Sequence, residues 1–287
     1  MIILIQIAVP AITFLVLAVV GSSLTTTDFA RLWRTPLTIV SGLIAPLILL
    51  PPLALGLILL FRPPREIEAG LLLVAACPIG GISNTYSYLA RASTALSVTL
   101  TGASCLLAVI TIPVLDRLFE LVLQRPFGFR APFFLLVVQM VLMLALPIGL
   151  GMWARHRWPE WTRKRAALTQ QLAFLAMGVL LALFIASEAR SFVSGLGRTV
   201  PLAAVFVVTS FLAGWLVGTM LAVPAPDRFT LATEFATRNV AVATAIAVTL
   251  LGRAEFALFA TTYFLTELPL MLLAVAGFRR LRSESRP

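Results

Sequence analysis

Residues 77–90 read CPIGGISNTYSYLA, and residues 233–245 read TEFATRNVAVATA. Both stretches lie inside long apolar runs, and both carry groups that such runs rarely hold. In the first, Pro78 removes a backbone donor, Gly80 and Gly81 loosen the chain behind it, and Ser83 and Asn84 add polar groups. In the second, Glu234, Arg238 and Asn239 fall in an otherwise apolar segment. Hydrocarbon accepts non-helical backbone only where it is buried in protein or lines a wet cavity. A broken helix therefore needs a partner, and each stretch can serve the other. Interrupted segments at corresponding places in two halves of a chain point to a binding site near the bilayer midplane.

The surrounding chain fits a membrane. Of its 287 residues 60% are hydrophobic and 12% charged, about half the charge of a soluble domain. The mean hydropathy is +1.01. The fold class is read as an all-α polytopic membrane protein with nine transmembrane helices, at 2–24, 35–61, 68–91, 94–116, 131–154, 168–187, 199–222, 229–251 and 255–278. The loops are too short for a soluble domain. Met1 leads straight into an apolar run with no basic region before it, so the first segment is expected to be a retained helix and not a cleaved signal. Cys77 and Cys105 lie in apolar stretches and point to neither a disulfide framework nor a metal cluster. His156 falls in a basic loop, and Trp153, Trp158 and Trp161 read as an interfacial belt.

The net charge of +10 does not call for nucleic acid, because the arginines cluster between the apolar runs. Their distribution sets the expected orientation. The odd-numbered loops and the C-terminus hold thirteen basic residues and the even-numbered loops eight, which places the N-terminus outside and the C-terminus in the cytoplasm. The bias to arginine, with Lys164 the single lysine, fits a bacterial protein of the cell membrane. One broken span lies in each half, five spans apart, so the halves are expected to be inverted copies whose first member lacks its leading helix. The expected division is 1–61 (a panel helix, then the first core helix), 62–122 (core helices with the break near 78–84), 123–195 (panel helices) and 196–287 (core helices with the break near 234–239).

Two unwound segments that cross offer carbonyl oxygens to a cation and half-helix N-termini to an anion. Hard cations take oxygen ligands. Ser83, Asn84 and Glu234 supply them, and Ser97 and Thr101, four residues apart, add hydroxyls from one face of the fourth span. An acid inside a membrane span marks function by default. The bland alternatives are a kink at Pro78, small-residue packing for Ser97 and Thr101, and a structural pair between Arg238 and Glu267 of the ninth span.

At these residues the chain resembles the bile acid:sodium symporter (BASS) family, in its nine-helix bacterial form. The likeness rests on CPIGGISNTYSYLARASTALSVTLT (77–101), on GSSLTTTDF (21–29), similar to the family's GxxLTxxDF turn, and on Glu234 to Asn239, similar to its Glu-x-x-x-Gln-Asn break. It implies a mobile panel, a core built from an inverted repeat, and transport by alternating access. It implies one sodium site at Ser83, Asn84, Ser97, Thr101 and Glu234. The second sodium site departs from the pattern. Arg238 stands where the family has Gln, and Pro46 where a second Gln is expected. Arginine has five donors and no acceptor and cannot ligate a cation. The second site is therefore expected to be lost, its charge replaced by the guanidinium.

The expected function is sodium-coupled symport of a small organic anion, a carboxylate bound near Gly81, Ile82, Arg238 and Asn239. Glu234, Glu267 or the substrate itself is the expected counter-charge to Arg238. The alternatives are proton-coupled or uncoupled transport on the same fold, and an arsenite-type exporter, which Cys77 invites. The expected partners are sodium, the anion and lipid, with a monomer and no nucleic acid. No GxSxG or HExxH motif is present, and no enzyme is expected.

Overall fold

The computed structural model describes residues 2–25, 36–124, 133–187 and 189–284. Among them every regular element is a helix, apart from one isolated antiparallel bridge. In chain order the α-helices are α1 (Ile2–Ser23), α2 (Pro36–Phe61), α3 (Arg65–Ala76), α4 (Ser83–Leu89), α5 (Thr94–Leu123), α6 (Phe133–Met140), α7 (Leu146–Arg157), α8 (Pro159–Ser187), α9 (Ala189–Met220), α10 (Ala225–Ala236), α11 (Val240–Ala245) and α12 (Ala257–Glu284). A π turn, Val141–Ala145, joins α6 to α7, and a second, Ile246–Leu250, extends α11.

Among the described residues five helices are long and apolar enough to cross a membrane: Pro36–Phe61, Thr94–Leu123, Phe134–Arg157, Phe192–Met220 and Ala254–Arg282. The described residues are thus all-helical, and the chain is a multi-pass membrane protein. The other four predicted crossings fall on α1, α8 and the two split pairs α3–α4 and α10–α11. Both predicted breaks occur, but narrower than the sequence implied. The first occupies 77–82, so Ser83 and Asn84 open α4; the second occupies 237–239, so Glu234 stays in the last turn of α10.

Two predicted loops are largely helical. α7 runs to Arg157 and α8 begins at Pro159, so His156 is in the last turn of a helix and not in a loop. Proline suits the first position of a helix, where its missing N–H costs nothing, and nothing after it breaks the run. Likewise α9 starts at Ala189, ten residues before the predicted span. Of the 21–29 motif, residues 26–29 lie outside the described residues. So do Arg31, Arg34, Arg125, Arg130 and Arg286, which contributed to the orientation argument.

The broken helices form the centre. From Leu71 to Ala76, from Phe229 to Ala236 and from Val240 to Ala245 every residue is buried, the polar Thr230, Thr233, Glu234 and Thr244 included. α2, α5, α9 and α12 pack around them. α1 packs on α7 and α8, and its approach to α7 is backbone to backbone. A Cβ on Gly21 would lie 2.2 Å from the Ile148 carbonyl oxygen, and one on Gly151 would lie 2.1 Å from that of Ala18. α9 meets α10 in the same way: a Cβ on Gly214 would lie 2.8 Å from the Leu231 carbonyl oxygen. Lipid offers no hydrophobic drive between helices, so close packing at small residues carries the association.

Gly151→Leu should therefore separate α1 from α7 and cost about 1–3 kcal/mol. Gly149→Leu, where a Cβ would meet nothing within 4 Å, serves as the control. Thermal denaturation of both variants in detergent checks this, with only the first expected to melt early.

Candidate functional site

α3 ends because Pro78 cannot continue it, and the chain turns extended at Cys77. α10 ends where Thr237 takes up extended geometry, and α11 restarts at Val240 behind Asn239, whose side chain accepts from the Val242 amide at 3.1 Å. The unwound segments cross and pair. The Gly80 amide donates to the Thr237 carbonyl at 3.0 Å, and the Asn239 amide donates to the Pro78 carbonyl at 2.8 Å, forming the bridge between Ile79 and Arg238. The Ile79 amide is taken by Ser104 Oγ at 3.1 Å. Glycine is needed at 80, because a Cβ there would lie 2.7 Å from the Arg238 carbonyl oxygen.

On one side of the crossing the five oxygen-bearing residues meet. Ser97 Oγ donates to Asn84 Oδ1 at 2.8 Å and also contacts Glu234 Oε1. Thr101 Oγ1 lies 3.3 Å from both Asn84 Oδ1 and Glu234 Oε2. Ser83 Oγ lies 3.3 Å from Thr101 Oγ1 and 3.5 Å from Ser97 Oγ. Three helices contribute, α4, α5 and α10, and Ser83, Ser97, Thr101 and Glu234 are wholly buried. The arrangement concentrates one carboxylate, one amide oxygen and three hydroxyls, a donor set suited to a hard cation.

Asn84 borders a cavity of about 670 Å³ between α1, α8 and the crossing. Gly81, Ile82, Arg238 and Asn239 all line it. Val16 and Val20 of α1 and Phe174 and Met177 of α8 form apolar walls, and Arg155, Arg163, Ser22 and Ser23 add polar groups to the lining. Among the described residues three arginines border this space and no acidic residue does.

Two of the three expected counter-charges of Arg238 lie in the protein. Neither Glu267 nor Glu234 pairs with it. Successive side chains of an extended segment point to opposite sides, so Thr237 turns to Glu267 and Arg238 turns away. Thr237 Oγ1 donates to Glu267 Oε1 at 2.9 Å, and Tyr86 OH donates to Glu267 Oε2 at 3.3 Å. Arg238 Nη2 instead donates to the Cys77 carbonyl, at the C-terminal end of α3. Its Nε and Nη1, and Asn239 Nδ2, are buried with no hydrogen-bond partner among the described residues. Arg238 also borders a void of about 10 Å³ with Pro46, Pro78 and Ser104, so the two departures from the resemblance sit together. Thr237, Tyr86 and Ser104 were not singled out from sequence; hydroxyls inside apolar helices give no signal of their own.

The sequence model of the Sodium Bile acid symporter family matches residues 10–195, more than half of the chain. The rice protein named probable sodium/metabolite cotransporter BASS2, chloroplastic, is 29% identical over 206 residues, 71% of this chain and 47% of that one. The Arabidopsis thaliana protein named probable sodium/metabolite cotransporter BASS1, chloroplastic, is 27% identical over 220 residues, 76% of this chain and 53% of that one. A shorter match, 41% identical over 99 residues, is to the Bacillus subtilis protein named uncharacterized sodium-dependent transporter YocS, covering 34% of this chain and 31% of that one. The chain thus spans about half the length or less of these relatives. Their names describe transporters and not enzymes, in agreement with the sequence reading.

Gly80→Ala is expected to force the two unwound segments apart. Amide hydrogen exchange in peptides covering 77–84 and 237–240 should accelerate together, since each segment supplies the other's acceptors.

Proposed function

We propose that this chain, which belongs to the sodium bile acid symporter family, is a secondary active transporter that couples a small organic anion to one sodium ion. The observation that carries this reading is the asymmetry of the crossing. One side gathers five oxygen-bearing side chains around Glu234, and the other holds a guanidinium. Sodium is assigned to Ser83, Asn84, Ser97, Thr101 and Glu234. Arg238, beside Pro46, stands in the place of a second ion. The end of a half-helix, where free carbonyls carry partial negative charge, favours a cation, and Arg238 meets that demand at Cys77 with a charge that is never released.

The anion is assigned to the cavity floor, near Gly81, Ile82, Arg238 and Asn239. The unpartnered donors there match the acceptors of a carboxylate, which guanidinium binds in planar, charge-assisted fashion. The apolar walls suit a carbon skeleton. Asn84 belongs to both the oxygen cluster and the cavity lining, so sodium can order the floor on which the anion rests. α1, α7 and α8 would form the panel that rocks against the crossing. We place the N-terminus outside and the C-terminus in the cytoplasm, as the distribution of basic residues favours.

Sodium at about 100 times its dissociation constant should stabilise the protein by about 2.7 kcal/mol over choline, with a Hill coefficient near one. Glu234→Gln should abolish this. Proteoliposome uptake of a panel of 2-oxo and hydroxy monocarboxylates should follow a sodium gradient, and Arg238→Gln should weaken binding of the accepted acid tenfold or more. Uptake equal in sodium and choline would sink the coupling, and a steep sodium dependence would contradict the single site.

A further inference from the structure

Glu267 has no part in the sodium cluster or the cavity lining, yet it is the second carboxyl buried at the crossing, 1% exposed. Both oxygens accept from hydroxyls, Thr237 Oγ1 and Tyr86 OH. It forms no ion pair. The titratable side chains beside it are Tyr86 of α4 and Tyr263 of α12, and the latter donates to the Ala236 carbonyl. The charged residues of the other elements packed on α12 lie elsewhere. Those of α3 (Arg65, Glu66, Glu68), α8 (Glu160, Arg163, Lys164, Arg165) and α9 (Arg190, Arg198) fall in the first ten residues of each helix. Asp227 and Arg228 sit at the start of α10, Glu234 is held in the oxygen cluster, and α11 has no charged residue. An isolated carboxylate in such surroundings is costly, and the usual relief is to bind a proton.

The two contacts also place Glu267 mechanically. Tyr86 shares the seven-residue α4 with Ser83 and Asn84, and Thr237 follows Glu234 by three residues. Each arm holding Glu267 is thus carried by a segment that also carries sodium ligands. Ordering those ligands moves the donors of Glu267 and adds a positive charge to the crossing, and both effects bear on its protonation.

We propose that Glu267 is a proton-binding site linked through the crossing to the sodium site, so that sodium binding releases a proton there. This rests on the sodium reading of the Glu234 cluster. The proton adds to one carboxylate oxygen as an O–H and leaves to water; Thr237 and Tyr86 turn their hydroxyls to match.

Two measurements on the full chain in lipid test it. Infrared difference spectra across about pH 5 to 9 should show a titrating carboxylic C=O band that is kept in Glu234→Gln and lost in Glu267→Gln. Sodium chloride added to weakly buffered protein with a pH dye, against choline chloride, should release protons, with about one fewer per sodium in Glu267→Gln at full linkage. Equal release from wild type and Glu267→Gln overturns the proposal, as does a C=O region unchanged by that substitution. If sodium and choline act alike in every variant, the sodium reading itself has failed, and the infrared band alone then decides whether Glu267 binds a proton. Should Glu267→Gln not fold, Tyr86→Phe keeps the carboxyl and removes one donor. It should shift the pH of half-maximal release, and no shift counts against the proposal.

Discussion

Two backbone hydrogen bonds, from Gly80 to Thr237 and from Asn239 to Pro78, decide what the centre of this protein can be. Unwinding a helix inside a bilayer strands amides and carbonyls where no water reaches them, at several kcal/mol each. Neither break is tolerable alone. Paired, they satisfy each other, and Pro78, which has no N–H, leaves one donor fewer to place. The bonds also join four half-helices into one mechanical unit. A ligand that orders α4 is therefore felt in α10 and α11 without any longer path.

That unit carries an unusual charge balance. Glu234 and Glu267 are both buried in it, and so is Arg238. On the proposed reading one sodium accompanies one monoanion, and the charge those two ions carry together is zero, before any proton exchanged at Glu267 is counted. Each elementary charge moved across the membrane is worth about 2.3 kcal/mol per 100 mV. A guanidinium in place of a second sodium gives up that contribution and leaves the sodium concentration gradient as the drive. It also keeps the floor of the cavity positive at every stage of the cycle, where a mobile ion would leave it bare.

The breaks were legible because proline, paired glycines and charged side chains are out of place in apolar runs. The oxygen cluster was legible for a related reason. Ser97 and Thr101 share a face by spacing alone, and Ser83, Asn84 and Glu234 flank the breaks. What stayed hidden depended on direction in space. Glu267 was visible as a buried acid, but which neighbour it would meet turned on the alternation of Thr237 and Arg238 along an extended segment. The cavity walls from α1 and α8 are ordinary apolar residues. The Gly21 and Gly151 contacts become meaningful only when two distant helices touch. Helix ends in the charged segments were misplaced because charge signals a loop in a membrane sequence, whereas Pro159 and the residues after it make a good helix start.

The same geometry argues for an order of events. Glu234 precedes Arg238 by four residues, and Asn84 connects the oxygen cluster to the cavity where Arg238 and Asn239 wait. An anion arriving first would meet Arg238 with the Asn84 side of the floor not yet ordered. On the proposed reading sodium at the cluster would take Glu234 as its carboxylate ligand and fix Asn84, after which the floor would present unpaired donors and a positive charge. Low dielectric sharpens the difference between the two states. On this reading the anion gains most of its attraction only after the cation is seated. Coupling then follows from charge and position at one crossing, and it needs no second site and no signal relayed through the helices around it.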